Sequence, residues 1–274
     1  MIISSRAPAR APQQVMRSRA LSSKPGTRPL QCQSCSTFVN CAWLAENLQD
    51  VSLLCCRPRP DYLDGHIPGA VHCSWQEVSG GETCCPDPDH DHFAAVVESK
   101  GVSAGRVVVL VGSRAPEACA ARLWLALRAH GHPDARLLLG GWEAWAAGGG
   151  PQELYEPCPL KLSTQFEALP QPDLIRRAAS PPPDTATRVI CSTSLIVELR
   201  AELLSGALDA ARMEKLLARH AVSGPKLWTG PAQLLVYDGD GVGLEAIGRA
   251  SWVAAVWDGL THQSPPLWSV QCGD

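Results

Sequence analysis

A chain of 274 residues exceeds one domain of ordinary size and predicts two. Its 45% apolar residues can fill packed cores, and no stretch approaches the roughly 20 consecutive apolar residues of a membrane span, so the reading is a soluble protein with no membrane partner. A formal charge of -3 without a recurring basic patch argues against nucleic acid as a partner.

That charge is unevenly spread. Residues 1–30 hold Arg6, Arg10, Arg17, Arg19, Lys24 and Arg28 and no carboxylate, so removing them takes the formal charge from -3 to -9. A segment rich in Arg and Ser, with no acidic residue before Glu46, predicts a mitochondrial transit peptide and a matrix location; a basic tail without an address is the alternative. Within it, Gln13 to Ser22 could form a short amphipathic helix. Twelve cysteines, with adjacent pairs at Cys55-Cys56 and Cys84-Cys85, suit a reduced compartment better than an ordered set of bridges in a chain this long. Cys32 and Cys35 form a lone CxxC, half of a zinc or redox motif, with no second half at a matching distance.

The globular pattern begins at Phe38. Cys41 to Asn47 reads as a helix, Val51 to Cys55 as a short buried strand ending before Arg57, and Asp61 to Gly65 as the end of a helical turn. Gly65 is expected to take the left-handed conformation that stops that helix; Pro68 and Gly69 make the reversal before Ala70 and Val71. Cys84 to His92 gathers thiols, carboxylates and imidazoles of metal-ligand type, but its prolines favour a loop, with Asp89 capping a helix through His92, Phe93, Val96 and Val97. No metal or other cofactor is expected. Val107 to Val111 is a β-branched central strand, Pro116 to His130 a helix with Cys119 on its packed face, and Arg136 to Leu139 a further strand before the block Gly140 to Trp145. Strand, helix and strand in this order predict parallel pairing with helices on both faces.

Residues 151–172 carry five prolines and read as a linker. Beyond it lie a strand at Arg188 to Cys191, an amphipathic helix at Ala207 to Val222 and a strand at Leu234 to Tyr237. A loop follows, Asp238, Gly239, Asp240, Gly241, Val242 and Gly243, and then a short helix at Ser251 to Val256.

The stretch Asp61 to Trp75, with its GHIPGA core, and the block GGWEAW closely resemble the two most recognisable motifs of the rhodanese sulfurtransferase family. The resemblance covers residues 41–150 with specific motifs and 207–257 loosely; no second GHIPGA block follows Cys191. It implies an α/β fold of two tandem rhodanese-like domains, each a parallel sheet with helices on both faces, the second eroded: residues 38–150 and 173–274 around the linker. It also implies sulfur transfer from thiosulfate or 3-mercaptopyruvate to a thiol, cyanide or thioredoxin-like acceptor. In such proteins Arg57 and His66 match residues that shape the first domain's loops, although Cys55 stands where the family places the aspartate that pairs with the arginine, and Leu139 where it places one before the GGW block.

The nucleophile of that chemistry is a thiolate at the end of a central strand, in a loop whose backbone N–H groups face inward at a helix N-terminus. By the resemblance it should follow Tyr237, and that position holds Asp238; Val111 stands at the matching place in the first half. Asp238 and Asp240 would also repel an anionic donor by about 1–4 kcal/mol per charge. The expected catalytic residue is therefore none, and sulfur transfer is expected to be weak or absent, the alternative being a non-catalytic binding or regulatory module. Cys119, expected in the core, and Cys191 and Cys272, which lack a glycine-rich loop, are poor substitutes. A strand ending in Asp-x-Asp-Gly also resembles the opening motif of haloacid-dehalogenase-type phosphatases, but about thirty residues after Asp240 are too few for the rest of that fold.

Overall fold

The computed structural model describes residues 36–81, 88–113, 118–154, 166, 191–220 and 248–262 in full, and the backbone at 175–177, 187–190, 221–223, 234–237, 244–247 and 267–269. Its first half is built on an all-parallel sheet of β1 (Phe38–Val39), β2 (Ser52–Cys55), β3 (Val71–His72), β4 (Val108–Val111) and β5 (Ala135–Leu138). Their spatial order is β1-β5-β4-β2-β3. The run Val-Val-Leu-Val of β4 is buried at every position because that strand is flanked by neighbours on both edges and helices on both faces. Successive side chains divide between two cores: Leu54, Val108, Leu110 and Leu137 enter one, and Leu53, Val109, Val111 and Leu138 the other.

The smaller core is closed by α1 (Cys41–Asn47), α2 (Arg59–Leu63) and α6 (Gly141–Ala147), which contribute Leu44, Tyr62 and Trp145. The larger is covered by α3 (Trp75–Val78), α4 (His90–Ser99) and α5 (Ala118–Ala129). Helix starts are fixed locally. Asn40 accepts from the Trp43 N–H, Ser74 and Glu77 form a reciprocal capping box, and Asp89 accepts from the His92 N–H as the sequence led us to expect. Gly141, at φ +61°, is required where the chain leaves β5: a Cβ there would lie 2.4 Å from the Gly112 carbonyl oxygen. Gly65 departs from expectation. At φ +157° it holds a positive-φ backbone far from the left-handed helical value, and Asp64, in right-handed conformation, caps α2.

The second half adds β6 (Ile175–Arg177), β7 (Thr187–Ile190), α7 (Thr193–Ser205), α8 (Ala210–Arg219), β8 (Ala221–Ser223), β9 (Leu234–Tyr237), α9 (Leu244–Thr261) and β10 (Leu267–Ser269). Its central sheet has the order β8-β7-β9, with β9 parallel and β8 antiparallel to β7, so the expected wholly parallel pairing fails at β8. β6 and β10 form a separate parallel pair. Helix α7 was not anticipated; Ser192 caps it and Leu195, Leu199 and Leu203 bury one face. The short closing helix is in fact 18 residues long. No helix among the described residues is long and apolar enough to cross a membrane.

α9 lies against α5, and one buried cluster runs from β4 through α5 to Trp252, Val253 and Val256. At the crossing, a Cβ on Gly248 would fall 2.3 Å from the Ala118 Cβ. Polar contacts tie the far end: the Ser36 N–H donates to the Gly259 carbonyl at 3.1 Å, and the Thr37 hydroxyl donates to Asp258 at 3.1 Å. Arg128 of α5 stands 3.8 Å from the same carboxylate. Phe166, in the segment between the halves, packs edge-on against Phe93 and its N–H donates to the Glu98 carboxylate.

Gly248→Ala is expected to destabilise the protein by about 1–3 kcal/mol in urea unfolding, although the same change in an exposed helix stabilises by about 0.5–1 kcal/mol; an unchanged or higher midpoint refutes the close crossing. Stability should also fall with acid. His130 is buried, stacked on Phe93 at 4.3 Å between ring centroids, and shares a 2.9 Å Nδ1···Nδ1 hydrogen bond with His90. Burial, and then the His90 charge, push its pKa down to about 4. The unfolded chain, with an ordinary imidazole near about 6.5, binds the proton first, so stability is full above that pH and declines as pH falls from there towards about 4. Burial lowers His72 and His132 in the same direction. Thermal melts should show Tm falling across this window, less steeply in His130→Gln; a flat profile contradicts the neutral buried ring.

Candidate active-site region

In parallel α/β sheets a ligand site forms beyond the carboxyl ends of the strands. Here that edge is built from the residues following β2, β3 and β4. The Cys56 N–H donates to the Val111 carbonyl at 2.8 Å and the Cys73 N–H to the Cys55 carbonyl at 3.0 Å, extending the ladder past its last paired residues. After Val111 the chain passes Gly112 and Ser113, then enters α5 at Ala118. The Trp142 N–H donates to the Gly112 carbonyl at 2.9 Å, so α6 holds the start of this connection.

The GHIPGA stretch is architectural. His66 is fully buried, stacks on Tyr62 at 4.0 Å, and its Nδ1 bonds the Tyr62 carbonyl at 2.8 Å. Its backbone pairs with Glu153 through two N–H···O bonds of 2.9 and 2.8 Å. The Tyr62 hydroxyl donates to the Ala70 carbonyl at 3.0 Å. Arg57 keeps a bracing role with Cys55 in place of a carboxylate: its Nη1 donates to the Gly65 carbonyl at 2.8 Å and its guanidinium lies 4.7 Å from the Trp142 ring centre. A second buried guanidinium, Arg122 of α5, stacks on Trp75 at 4.0 Å.

The sequence-derived loop Asp238, Gly239, Asp240, Gly241, Val242 and Gly243 lies outside the described residues, as do Cys32, Cys35, Cys84, Cys85, Pro116 and Cys272. What is described is its frame: β9 ends at Tyr237, paired in parallel with β7, and α9 begins at Leu244. From the metal-type cluster, His92 Nε2 bonds the Glu77 carbonyl at 2.8 Å and His90 bonds His130. No group of three or more His, Cys, Asp or Glu among the described residues is placed to hold a metal ion.

The thiols are distributed unlike the expectation in one place. Cys119, predicted to be core, is exposed, the one residue of α5 that is. Its helix is buried around most of its circumference by the sheet and α9 together, so the usual alternation of faces does not apply. Cys55, Cys56 and Cys73 are buried, and burial raises all three thiols: Cys73 to about 12, and Cys56 well above its ordinary range with added repulsion from Cys73, Cys55 and Cys119. A thiol attacks as thiolate, so these three are held protonated and unreactive. Cys191 directly follows β7 and precedes the Ser192 cap of α7, a strand-to-helix position, but it is fully buried.

A parallel sheet with strand, connection and helix at its carboxyl edge, braced by Arg57, His66 and the turn into α6, defines the rhodanese class of α/β domain. The rhodanese-like domain family matches residues 40–148, and this part of the chain is a rhodanese-like domain. Among curated relatives, the thiosulfate sulfurtransferase of Corynebacterium glutamicum is 32% identical over 113 residues, 40% of this chain and 37% of the relative. The sulfur carrier protein TtuD of Thermus thermophilus is 31% identical over 117 residues, 42% of this chain and 41% of the relative. The chain thus spans about two fifths of the length of these relatives.

Solved structures extend the likeness. SseA from Escherichia coli, described with the "Rhodanese" fold of 3-mercaptopyruvate sulfotransferases, matches at a TM-score of 0.60 and 19% identity over 87% of this chain and 99% of its own. The 3-mercaptopyruvate sulfurtransferase from Leishmania major matches at 0.64 and 15% identity over 88% and 73%. At such identities the likeness is one of fold, and it reaches into the second half.

The burial pattern makes a direct forecast for alkylation. Brief iodoacetamide treatment of the native protein at neutral pH should label Cys119 well before Cys55, Cys56 and Cys73, as read by peptide mass mapping. Equal labelling of Cys73 contradicts the packing described.

Proposed function

We propose that this protein is a thiosulfate or 3-mercaptopyruvate sulfurtransferase-like protein whose second half is a degenerate rhodanese-like domain and whose steady-state turnover is weak or absent. In this reading it would take a sulfane sulfur from such a donor and pass it to a thiol, cyanide or thioredoxin-like acceptor. The observation that carries the proposal is the residue after β9: the strand ends at Tyr237, and the next position holds Asp238 where a persulfide-forming cysteine would stand. A carboxylate cannot carry the sulfur, and with Asp240 it opposes an anionic donor. The same substitution supports a second reading, a non-catalytic module that binds a partner or an anion on a rhodanese scaffold. The acid-free, arginine-rich residues 1–30 support delivery to the mitochondrial matrix, tested by N-terminal sequencing of the mature protein, which should lack Met1.

The assay is thiocyanate release from thiosulfate and cyanide, alongside pyruvate release from 3-mercaptopyruvate. The unaltered protein should run on the order of a thousandfold or more below an active rhodanese, the scale of removing a nucleophile. Asp238→Cys should raise it and create a persulfide on that residue. Turnover by the unaltered protein at the rate of an active rhodanese refutes the proposal. Silence of Asp238→Cys in a folded protein favours the binding module instead.

A further inference from the structure

Phe166, in the segment between the two halves, is held by groups that can take up protons. Its ring stacks on that of His132 at 6.0 Å and lies edge-on to that of Phe93 on α4 at 6.1 Å. Its N–H donates to the carboxylate of Glu98 on the same helix. Phe93 in turn stacks on His130 at 4.3 Å, and His130 on His90 at 5.1 Å. Phe93, His130, His132 and Phe166 are all buried, so a charge on either of these two imidazoles would stand in a space walled by rings. Packing and protonation therefore compete at this contact.

His132 is placed to be neutral. Its Nε2 donates to the Ser103 carbonyl at 3.1 Å, and its Nδ1 accepts from the Asp134 N–H at 3.3 Å. Both nitrogens are thereby used with one ring proton; a second proton, on Nδ1, would meet the Asp134 N–H head-on. The charged groups around it pull in different directions. Asp134 favours an imidazolium, but its carboxylate already holds Arg136 through two 2.7 Å contacts. Arg128 opposes one: its guanidinium donates to the His132 and Pro133 carbonyls and stands 3.8 Å from Asp258 of α9. Burial is the largest influence, and the His132 pKa is lowered. At His130, burial and the His90 charge oppose an added proton and Asp89 favours it.

We infer that the Phe166 contact is an acid-released latch on the segment between the halves: docked Phe166 keeps His132 uncharged, and protonation of His132, then of Glu98, frees Phe166 while α5 and α9 stay packed. When Phe166 lifts, water reaches the His132 ring and its proton affinity returns toward that of an ordinary imidazole, near about 6.5. The freed state takes up a proton that the docked state refuses. The latch is therefore closed above about pH 6.5 and opens as pH falls below it. Glu98 acts in the same direction at lower pH, since a protonated carboxyl accepts the Phe166 N–H less strongly than a carboxylate does. The closest approach of α5 and α9, Gly248 on Ala118, has no ionisable side chain to disturb. Local opening costs less than global unfolding, so the latch yields before the fold does.

Hydrogen exchange of the full-length protein, read by mass spectrometry at about pH 7.5 and about pH 5.5 and corrected for the intrinsic pH dependence of amide exchange, tests this. The peptide containing Phe166 is compared with one spanning Leu123 to Leu127 of α5. Opening at Phe166 should rise by up to about tenfold at the lower pH, the limit for one imidazole near about 6.5 that binds its proton only when freed, with α5 unchanged. His132→Gln keeps a donor for Ser103 and an acceptor for Asp134 without a titrating group, and it should abolish the rise. Glu98→Gln should increase opening at both pH values and leave their ratio. Phe166→Ala gives the reciprocal reading: the His132 pKa, followed by NMR, should move up toward its ordinary value. The latch is overturned by equal opening at both pH values, by a rise that α5 shares in full, or by a rise that survives in His132→Gln or is lost in Glu98→Gln. A His132 pKa unmoved in Phe166→Ala overturns it as well.

Discussion

The packing of α5 between the parallel sheet and α9 is the constraint on which the rest of the structure depends. Nearly every residue of α5 is buried, which is possible only when two partners cover it from different sides. The sheet supplies one through β4 and the larger core; α9 supplies the other through Trp252, Val253 and Val256. The glycine at 248 allows the two helices to approach at Ala118, the first residue of α5. Each helix follows the last strand residue of its own half, Val111 or Tyr237, by a short connection. The crossing of Gly248 on Ala118 thus brings the first turns of the two helices together.

The first half compensates locally for departures from the pattern it resembles. An arginine deprived of a carboxylate partner would carry an unanswered charge, and its burial would then be costly. Arg57 answers this with the Gly65 carbonyl and the face of Trp142, so a main-chain oxygen and an aromatic ring stand in for the missing ion pair. Cys55, relieved of that duty, becomes part of the smaller core. The brace is therefore set by where Gly65 and Trp142 lie, and these are fixed in turn by the antiparallel bridge at His66 and the docking of Trp142 on Gly112.

Much of this was legible in the chain itself, for reasons that differ by element. Helix α1 and strand β9 have the bounds read from the sequence because a capping Asn40 and a short apolar run are local signals. Helix α7 escaped notice although Ser192 and the spacing of Leu195, Leu199 and Leu203 encode it; the neighbouring amphipathic segment that became α8 has a stronger contrast of faces. Helix α9 was read as six residues because its buried run, Ser251 to Trp257, shows no polar face, and a helix packed on several sides has none to show. The exposure of Cys119 was hidden by the same effect in α5. Gly65 was placed at a turn correctly but in the wrong conformation, since a glycine marks freedom of φ without saying which value is used.

The residues that make the fold are separable from those on which the proposed chemistry would rest. Leu54, Val109, Leu110, Trp124 and Trp145 fill the cores, and Gly141 and Gly248 permit close approaches between elements. Selection on stability alone therefore acts on the cores and on these glycine crossings, and it does not fix which residues stand at the carboxyl edges of the sheets.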